Sequence, residues 1–144
     1  MKIRPLRPPK SAGPILTQNL SRFPPGTRSD LWTAPTAAWT LAYTLSGTVR
    51  EFIGDAEMWL HPGDLLILKP GISHRWEVPA DAPDPWAVAW LVFNPNPDWI
   101  LLLDQPESQP HCSRIPLAGT PVNGKIRRGL IQACRWAALP LPDY

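Results

Sequence analysis

The sequence predicts a mainly β domain, either a barrel or a jelly roll of two sheets, with an extended arm in front and a helix at its end. Three observations support this class. The 144 residues include 20 prolines and 9 glycines, more than a helical protein tolerates. Short apolar runs closed by turn residues recur from residue 38 onward. One amphipathic segment follows these runs.

The length and composition indicate a single globular domain. A chain of 144 residues can bury a core without disulfide help, and Cys112 and Cys134 are too few for a disulfide framework, so we expect free thiols. The formal charge of +2 falls short of the concentrated basic face that phosphate-backbone binding needs. No stretch has the apolar length of a signal peptide or a membrane span. We therefore expect a cytoplasmic protein with no membrane partner.

Residues 1–27 are predicted to form an extended arm and lead-in. They carry six prolines and lack sustained periodicity. Basic residues alternate with prolines in the first ten positions, a composition typical of extended chain. We expect Ile15, Leu16 and Leu20 to anchor one stretch of this arm on a neighbouring surface.

Residues 38–78 carry the clearest strand signals. The predicted strands are AWTLAYTLSG (38–47), TVREFI (48–53), AEMWL (56–60), DLLILKPG (64–71) and SHRWEV (73–78). Gly54 and Asp55 suit a tight hairpin, because glycine accepts the positive φ that such turns demand. In this hairpin we expect Arg50 and Glu51 to be solvated charges.

The second half of the chain continues with a strand, a helix and a weaker strand. A loop at 79–85 leads into WAVAWLVF (86–93), which we expect to be a central strand because it lacks proline and is apolar on both faces. Pro97 and Asp98 indicate a short helix at about 98–103. CSRIPL (112–117) is the weaker strand.

The last segment predicts an amphipathic helix. Ile126, Leu130, Cys134 and Ala138 recur every four residues, while arginines occupy other faces. Pro140 ends the helix.

Gly63, Pro70, Gly71 and His74 resemble the second conserved stretch of the cupins. That stretch reads Gly, five residues, Pro, any residue, Gly, two residues, His, and this chain has Lys69 where its first Pro stands. The resemblance implies a cupin-like double-stranded β-helix, which is a jelly-roll barrel.

A second stretch makes the resemblance more specific. Residues 86–106 are similar to the Trp-x-x-x-Trp-x-x-Phe-x-Pro-x-x-x-Trp stretch of the ligand-sensing domains of AraC-type transcription regulators, with Trp86, Trp90, Phe93 and Trp99 at the aromatic positions. This resemblance implies a β-barrel sensing domain, an N-terminal arm that folds over the ligand, and a helical part that dimerises.

The resemblance also implies a division of the chain. Residues 1–27 are the arm and lead-in, residues 28–120 are the ligand-binding cupin barrel, and residues 121–144 begin the helical dimerisation segment. The helix-turn-helix units of this family are absent from the sequence, so we expect contact with DNA only through a domain outside it. Whether the chain forms a homodimer is left open, because the helices that would form the dimer contact are at best half present.

His74 has two interpretations. Strand alternation places His74, Trp76 and Val78 on one face. His74 is then either a core histidine with both ring nitrogens satisfied or a hydrogen-bonding group in a ligand pocket. A catalytic metal needs about three protein ligands, and the preceding hairpin offers only His61. We therefore predict neither a metal nor a cofactor.

The tryptophans also have two interpretations. Trp86, Val88, Trp90 and Val92 share a strand face, which the resemblance places inside the barrel. Indoles there either pack the core or stack on a sugar or an aromatic ring. Trp90 and Trp76 are the first choices for ligand contact.

The resemblance adds further candidates for ligand contact. In sugar-sensing members an arginine before the first barrel strand grips ligand hydroxyls, and a count without gaps from Gly47 puts Trp32 there, with Arg28 close enough to replace it. Val88 stands where a further polar contact would be expected. The candidate ligand-binding residues are His74, Trp76, Trp90, Val88, Trp32, Trp39 and Arg28.

The sequence therefore predicts a regulatory domain and not an enzyme. It contains no Ser-His-Asp set, no glycine-rich phosphate loop and no paired carboxylates on one strand. We expect a small-molecule effector, a sugar or another compound, to bind in the barrel and change the arm and dimer state. The alternatives are a free-standing cupin enzyme, such as a sugar isomerase or metal-dependent oxygenase, and a purely structural dimerisation barrel with a filled interior.

Overall fold

The computed structural model describes residues 15–29 and 37–137. These ranges contain β1 (Ile15–Phe23), β2 (Trp39–Ser46), β3 (Val49–Ile53), β4 (Ala56–Leu60), β5 (Asp64–Leu68), β6 (His74–Glu77), β7 (Trp86–Phe93), α1 (Pro97–Leu103), β8 (Cys112–Pro116) and α2 (Asn123–Ala137). Within them, neither helix has the length and apolar character needed to cross a membrane. Ala138 and Pro140 of the predicted terminal helix lie outside the described residues.

The strands form two antiparallel sheets. The larger sheet has the order β1-β7-β2-β5-β8, and the smaller has the order β4-β3-β6. β7 lies between β1 and β2 and pairs with both, which confirms the expected central strand. The two sheets give the mainly β jelly roll that the sequence predicts.

One apolar core lies between the two sheets. Leu66 and Leu68 on β5 and Val88 on β7 supply the face of the larger sheet, and the smaller sheet contributes Val49 and Ile53 on β3. Side chains alternate along each strand, so every second residue of β3 enters this core. The space between the sheets is therefore the interior of the barrel.

The opposite face of the larger sheet is covered by α2. Leu65, Ile67 and Leu91 are buried on that face, and Ile126 and Leu130 of α2 pack against them. This contact explains why β5 and β7 read as apolar on both faces: each strand has a core on either side.

The range assigned to the arm and lead-in, residues 1–27, contains the strand β1 (Ile15–Phe23). β1 pairs antiparallel with β7 along most of its length and forms one edge of the larger sheet. Polar residues fill most of its middle positions, so an apolar pattern does not reveal it. Residues 1–14 of the predicted arm lie outside the described residues.

The turn between β2 and β3 lies against the segment that enters β7. Gly47 has a φ of +72°, a conformation that side chains rarely adopt. A Cβ on this residue would stand 2.1 Å from the carbonyl oxygen of Pro85. The turn therefore requires glycine for its backbone and for the close approach of the neighbouring chain.

The short helix α1 begins at Pro97, with the Asn96 side chain accepting a hydrogen bond from the Asp98 backbone N–H at 3.1 Å. This confirms the helix expected at about 98–103. Leu101 and Leu102 are 84% and 73% exposed, while Leu103 packs against the core under α2. One side of α1 is thus an apolar surface open to solvent.

Candidate functional site

The space between the sheets contains a cavity of about 70 Å³. Its walls come from β1, β2, β3, β5, β6 and β7, and most of its lining side chains are apolar. The structure brings together four of the predicted site residues here, since His74, Trp76, Val88 and Trp90 all line the cavity. Alternation places their side chains inward from β6 and β7, as expected.

Three aromatic rings form one wall of the cavity. The ring of Phe23 lies 4.4 Å from that of Trp76 and 5.7 Å from that of Trp86, and the two indoles are 5.3 Å apart. Aromatic rings supply a large apolar contact area. Trp86 Nε1 donates to the Thr44 hydroxyl at 3.2 Å, which satisfies this indole inside the protein.

Trp90 differs from Trp86 in the hydrogen bonding of its indole N–H. Its Nε1 is buried and, among the described residues, has no hydrogen-bond partner. An indole N–H is a donor only, and buried donors in folded proteins almost always have partners. The N–H of this wall residue is therefore a hydrogen-bond donor that the described residues leave unused.

Glu51 and His74 form a buried hydrogen-bonded pair on another wall. His74 Nδ1 and Glu51 Oε1 lie 2.6 Å apart in a hydrogen bond, and Glu51 is only 2% exposed. Burial raises the pKa of Glu51 above its ordinary 4.5, while the hydrogen bond from His74 and its charge lower it in part. His74 is therefore a hydrogen-bonding residue of the cavity wall, and its partner Glu51 was not expected from the sequence.

The prediction that Glu51 is a solvated charge is wrong. On β3 the residues Val49, Glu51 and Ile53 are buried and alternate with the half-buried Arg50 and Phe52. The two apolar neighbours of Glu51 at a spacing of two residues were the signal that places its side chain inside. Arg50 lies on the outer face, where it contacts Glu57 at 2.8 Å.

The other predicted site residues lie elsewhere. Trp39 is buried on the opposite face of the larger sheet, in the core beneath α2, because it precedes the inward-facing Thr40 by one position. Arg28 forms a β-bridge with Glu77 and does not line the cavity. Trp32 lies outside the described residues.

Metal-binding residue types do not gather in the described part of the chain. Among residues 15–29 and 37–137, no three side chains of the His, Cys, Asp and Glu types are placed to hold an ion together. Cys112 and Cys134 are free and buried. Burial raises the pKa of Cys112 to about 12, which keeps it a thiol, the weaker nucleophile and ligand.

The model of the AraC-like ligand binding domain matches residues 20–138, which include the whole cavity wall. The chain belongs to this family. The match confirms the resemblance read from the aromatic stretch after His74, and it begins within β1, so the family domain includes part of the range assigned to the arm.

Solved structures support the fold of this AraC-like domain. ToxT from Vibrio cholerae, bound to (E)-4-(8-methylnaphthalen-1-yl)but-3-enoic acid, has a TM-score of 0.60 at 8% identity, over 88% of this chain and 50% of ToxT. A cupin protein from Bacteroides fragilis has a TM-score of 0.50 at 16% identity, over 56% of this chain and 66% of that protein. The AraC-like domain spans only part of each. No curated protein matches the sequence.

The cavity gives the AraC-like domain a defined chemistry. It presents apolar walls, one unpaired N–H of Trp90 and one carboxylate paired to an imidazole. Glu51 and His74 are the only acid and the only imidazole among the described residues that line it. The arrangement suits reversible binding of a small molecule by shape and one or two hydrogen bonds.

Proposed function

We propose that this chain is the effector-binding domain of an AraC-type transcription regulator and that the effector binds in the cavity between the two sheets. One observation carries the proposal: Trp90 lines the cavity, and its buried Nε1 has no partner among the described residues. An unsatisfied buried donor costs about 1–3 kcal/mol. An effector that accepts this hydrogen bond removes that cost, so binding is favoured over an empty interior.

Four predicted residues and one added residue are proposed to contact the effector. They are His74, Trp76, Val88, Trp90 and Glu51, which share one cavity. Trp39 and Arg28 are not included, because their positions are off the cavity wall. Trp32 stays a prediction.

Membership of the AraC-like family supports a regulatory rather than a catalytic role. Within that role we propose that residues 1–14 act as the arm, that the barrel of residues 28–120, extended by β1, holds the effector, and that the segment at 121–144 takes part in dimerisation. Contact with DNA then belongs to a separate domain, and the site of action is the cytoplasm. The effector changes the regulator only through different contacts in its two states.

Thermal unfolding in the presence of candidate effectors tests the proposal. We expect at least one compound from a panel of sugars, sugar acids, aromatic acids and small alcohols to raise the melting temperature at millimolar concentration. A ligand at 100 times its Kd adds about 2.7 kcal/mol of stability. Trp90→Phe, which removes the unpaired N–H, is expected to reduce the shift.

The matched control is Trp59→Phe. Trp59 is 41% exposed on β4 and lies off the cavity wall, so this substitution should leave the ligand-induced shift unchanged. If no compound of the panel raises the melting temperature, the effector-binding function is wrong. Stoichiometric iron, manganese or zinc in the purified protein would instead favour the cupin enzyme.

A further inference from the structure

We propose that the effector is an uncharged, mostly apolar hydroxyl compound, and that Glu51 and Trp90 together select this class. The inference rests on the proposed function and names the chemistry of its ligand. It follows from the polar groups that line the cavity, from the charges that do not line it, and from the cavity volume.

Two residues of the cavity wall carry the groups that can bind a polar ligand atom, the indole of Trp90 and the carboxylate of Glu51. Trp90 Nε1 has no partner among the described residues. Glu51 shares its Oε1 in the hydrogen bond with His74, and its second carboxylate oxygen, Oε2, is a further acceptor. A hydroxyl group both accepts and donates, so it can satisfy the indole and the carboxylate.

A charged ligand cannot form favourable contacts with both of these groups. A carboxylate would stand beside the buried carboxylate of Glu51, and the described lining residues include no lysine or arginine to balance it. Like charges in such a site cost several kcal/mol. An ammonium group can pair with Glu51, but it has no acceptor for the N–H of Trp90.

The walls and the volume exclude strongly polar ligands. Three rings and the side chains of Leu66, Leu68 and Val88 form most of the lining, so the several hydroxyls of a sugar would lose their water without gaining partners. The volume of about 70 Å³ is roughly half of the ~150 Å³ that holds benzene in an engineered apolar cavity. The enclosed part of the ligand is therefore small.

Trios of compounds with the same number of carbon atoms test the selection by charge. Binding is measured by isothermal titration calorimetry at pH 8 for propan-1-ol, propionate and propylammonium, and for butan-1-ol, butyrate and butylammonium. We expect the alcohol to bind at least about tenfold more tightly than either ion of its trio, a difference of about 1.4 kcal/mol. All six compounds are also included in the thermal unfolding panel.

Two variants assign the selection to its residues. Glu51→Gln removes the charge at constant shape. A carboxylate ligand then lies beside an uncharged amide, so we expect the preference for the alcohol over the carboxylate to fall below about threefold. Trp90→Phe should weaken alcohol binding about fivefold or more. Trp99→Phe, on α1 and away from the cavity, should change neither value.

The outcomes separate the two proposals. Tightest binding by a carboxylate, an ammonium compound or a sugar would overturn the ligand class and leave the effector-binding function standing. A preference for the alcohol that Glu51→Gln leaves unchanged would also overturn the assignment to Glu51. The absence of binding by every compound of the full panel would overturn the effector-binding function itself.

Discussion

The carboxylate of Glu51 couples the stability of the barrel to pH. Burial raises its pKa above 4.5 in the folded protein, so the folded state holds the proton more tightly than the unfolded state does. The stabilising contribution of the protonated group is therefore complete below pH 4.5 and is lost as the pH rises through the raised pKa. Above that pKa the buried charge is stabilised by its hydrogen bond with His74.

Glu51→Gln should remove this pH dependence. We expect the free energy of unfolding of the wild type to fall relative to that of the variant as the pH rises from 4.5 towards 8, by up to about 1.4 kcal/mol per pH unit within the titration range. Urea unfolding at a series of pH values measures the difference. Glu57→Gln, an exposed substitution on β4, should follow the wild type, and a constant gap between wild type and Glu51→Gln would refute the prediction.

Trp86 and Trp90 show how far a sequence pattern specifies a site. Alternation along the strand puts both indoles inside the barrel, and the structure confirms it. The pattern does not show that Thr44 satisfies one N–H while the other has no partner among the described residues. That difference depends on which residue of the neighbouring strand β2 lies beside each indole, and it separates a core tryptophan from one that can bind a ligand.

The elements were predictable where apolar alternation is strong. The hairpin of β3 and β4, the central strand β7 and the helix α2 follow from their patterns, whereas β1 does not. β1 is an edge strand with exposed residues such as Asn19 and Arg22, and its pairing with β7 is made by the backbone. Backbone pairing leaves no mark in the side-chain sequence.

Gly47 provides a test of the turn between β2 and β3. We expect Gly47→Ala to lower the free energy of unfolding by at least about 2 kcal/mol more than Gly54→Ala does, as measured by urea unfolding. Gly54 also has a positive φ, of +56°, but a Cβ there meets no atom within 4 Å. The control therefore has the backbone cost of about 1–2 kcal/mol without the contact with Pro85. Equal losses in the two variants would show that the contact has no energetic weight.

In the molecule as a whole, the larger sheet separates two cores and leaves α1 at the surface. The resemblance in sequence indicated the barrel and four of its wall residues, but it did not show that Trp39 lies on the other face of the larger sheet. Trp39 illustrates the reason: a shift of one position along β2 moves a side chain from the cavity to the core under α2. Register has to be known before a wall residue can be assigned.

The exposed face of α1 predicts how the protein behaves at high concentration. Exposed apolar patches promote association, so we expect the double variant Leu101→Gln and Leu102→Gln to stay monodisperse at higher protein concentration in light scattering. Its free energy of unfolding should change by no more than about 0.5 kcal/mol. Leu103→Gln, which alters the residue that packs against the core, should lower the melting temperature clearly. A similar loss in the double variant would contradict the assignment of this face to solvent.

The strand β7 separates the cavity from the core beneath α2. Val88 and Trp90 border the cavity, while Ala89 and Leu91 between and beside them are buried against α2, and the thiol of Cys134 on that helix reaches the carbonyl of Trp90 at 3.9 Å. A larger side chain at position 89 should therefore push β7 towards the cavity. The cavity would then admit only smaller ligands, although no residue that lines it has been changed.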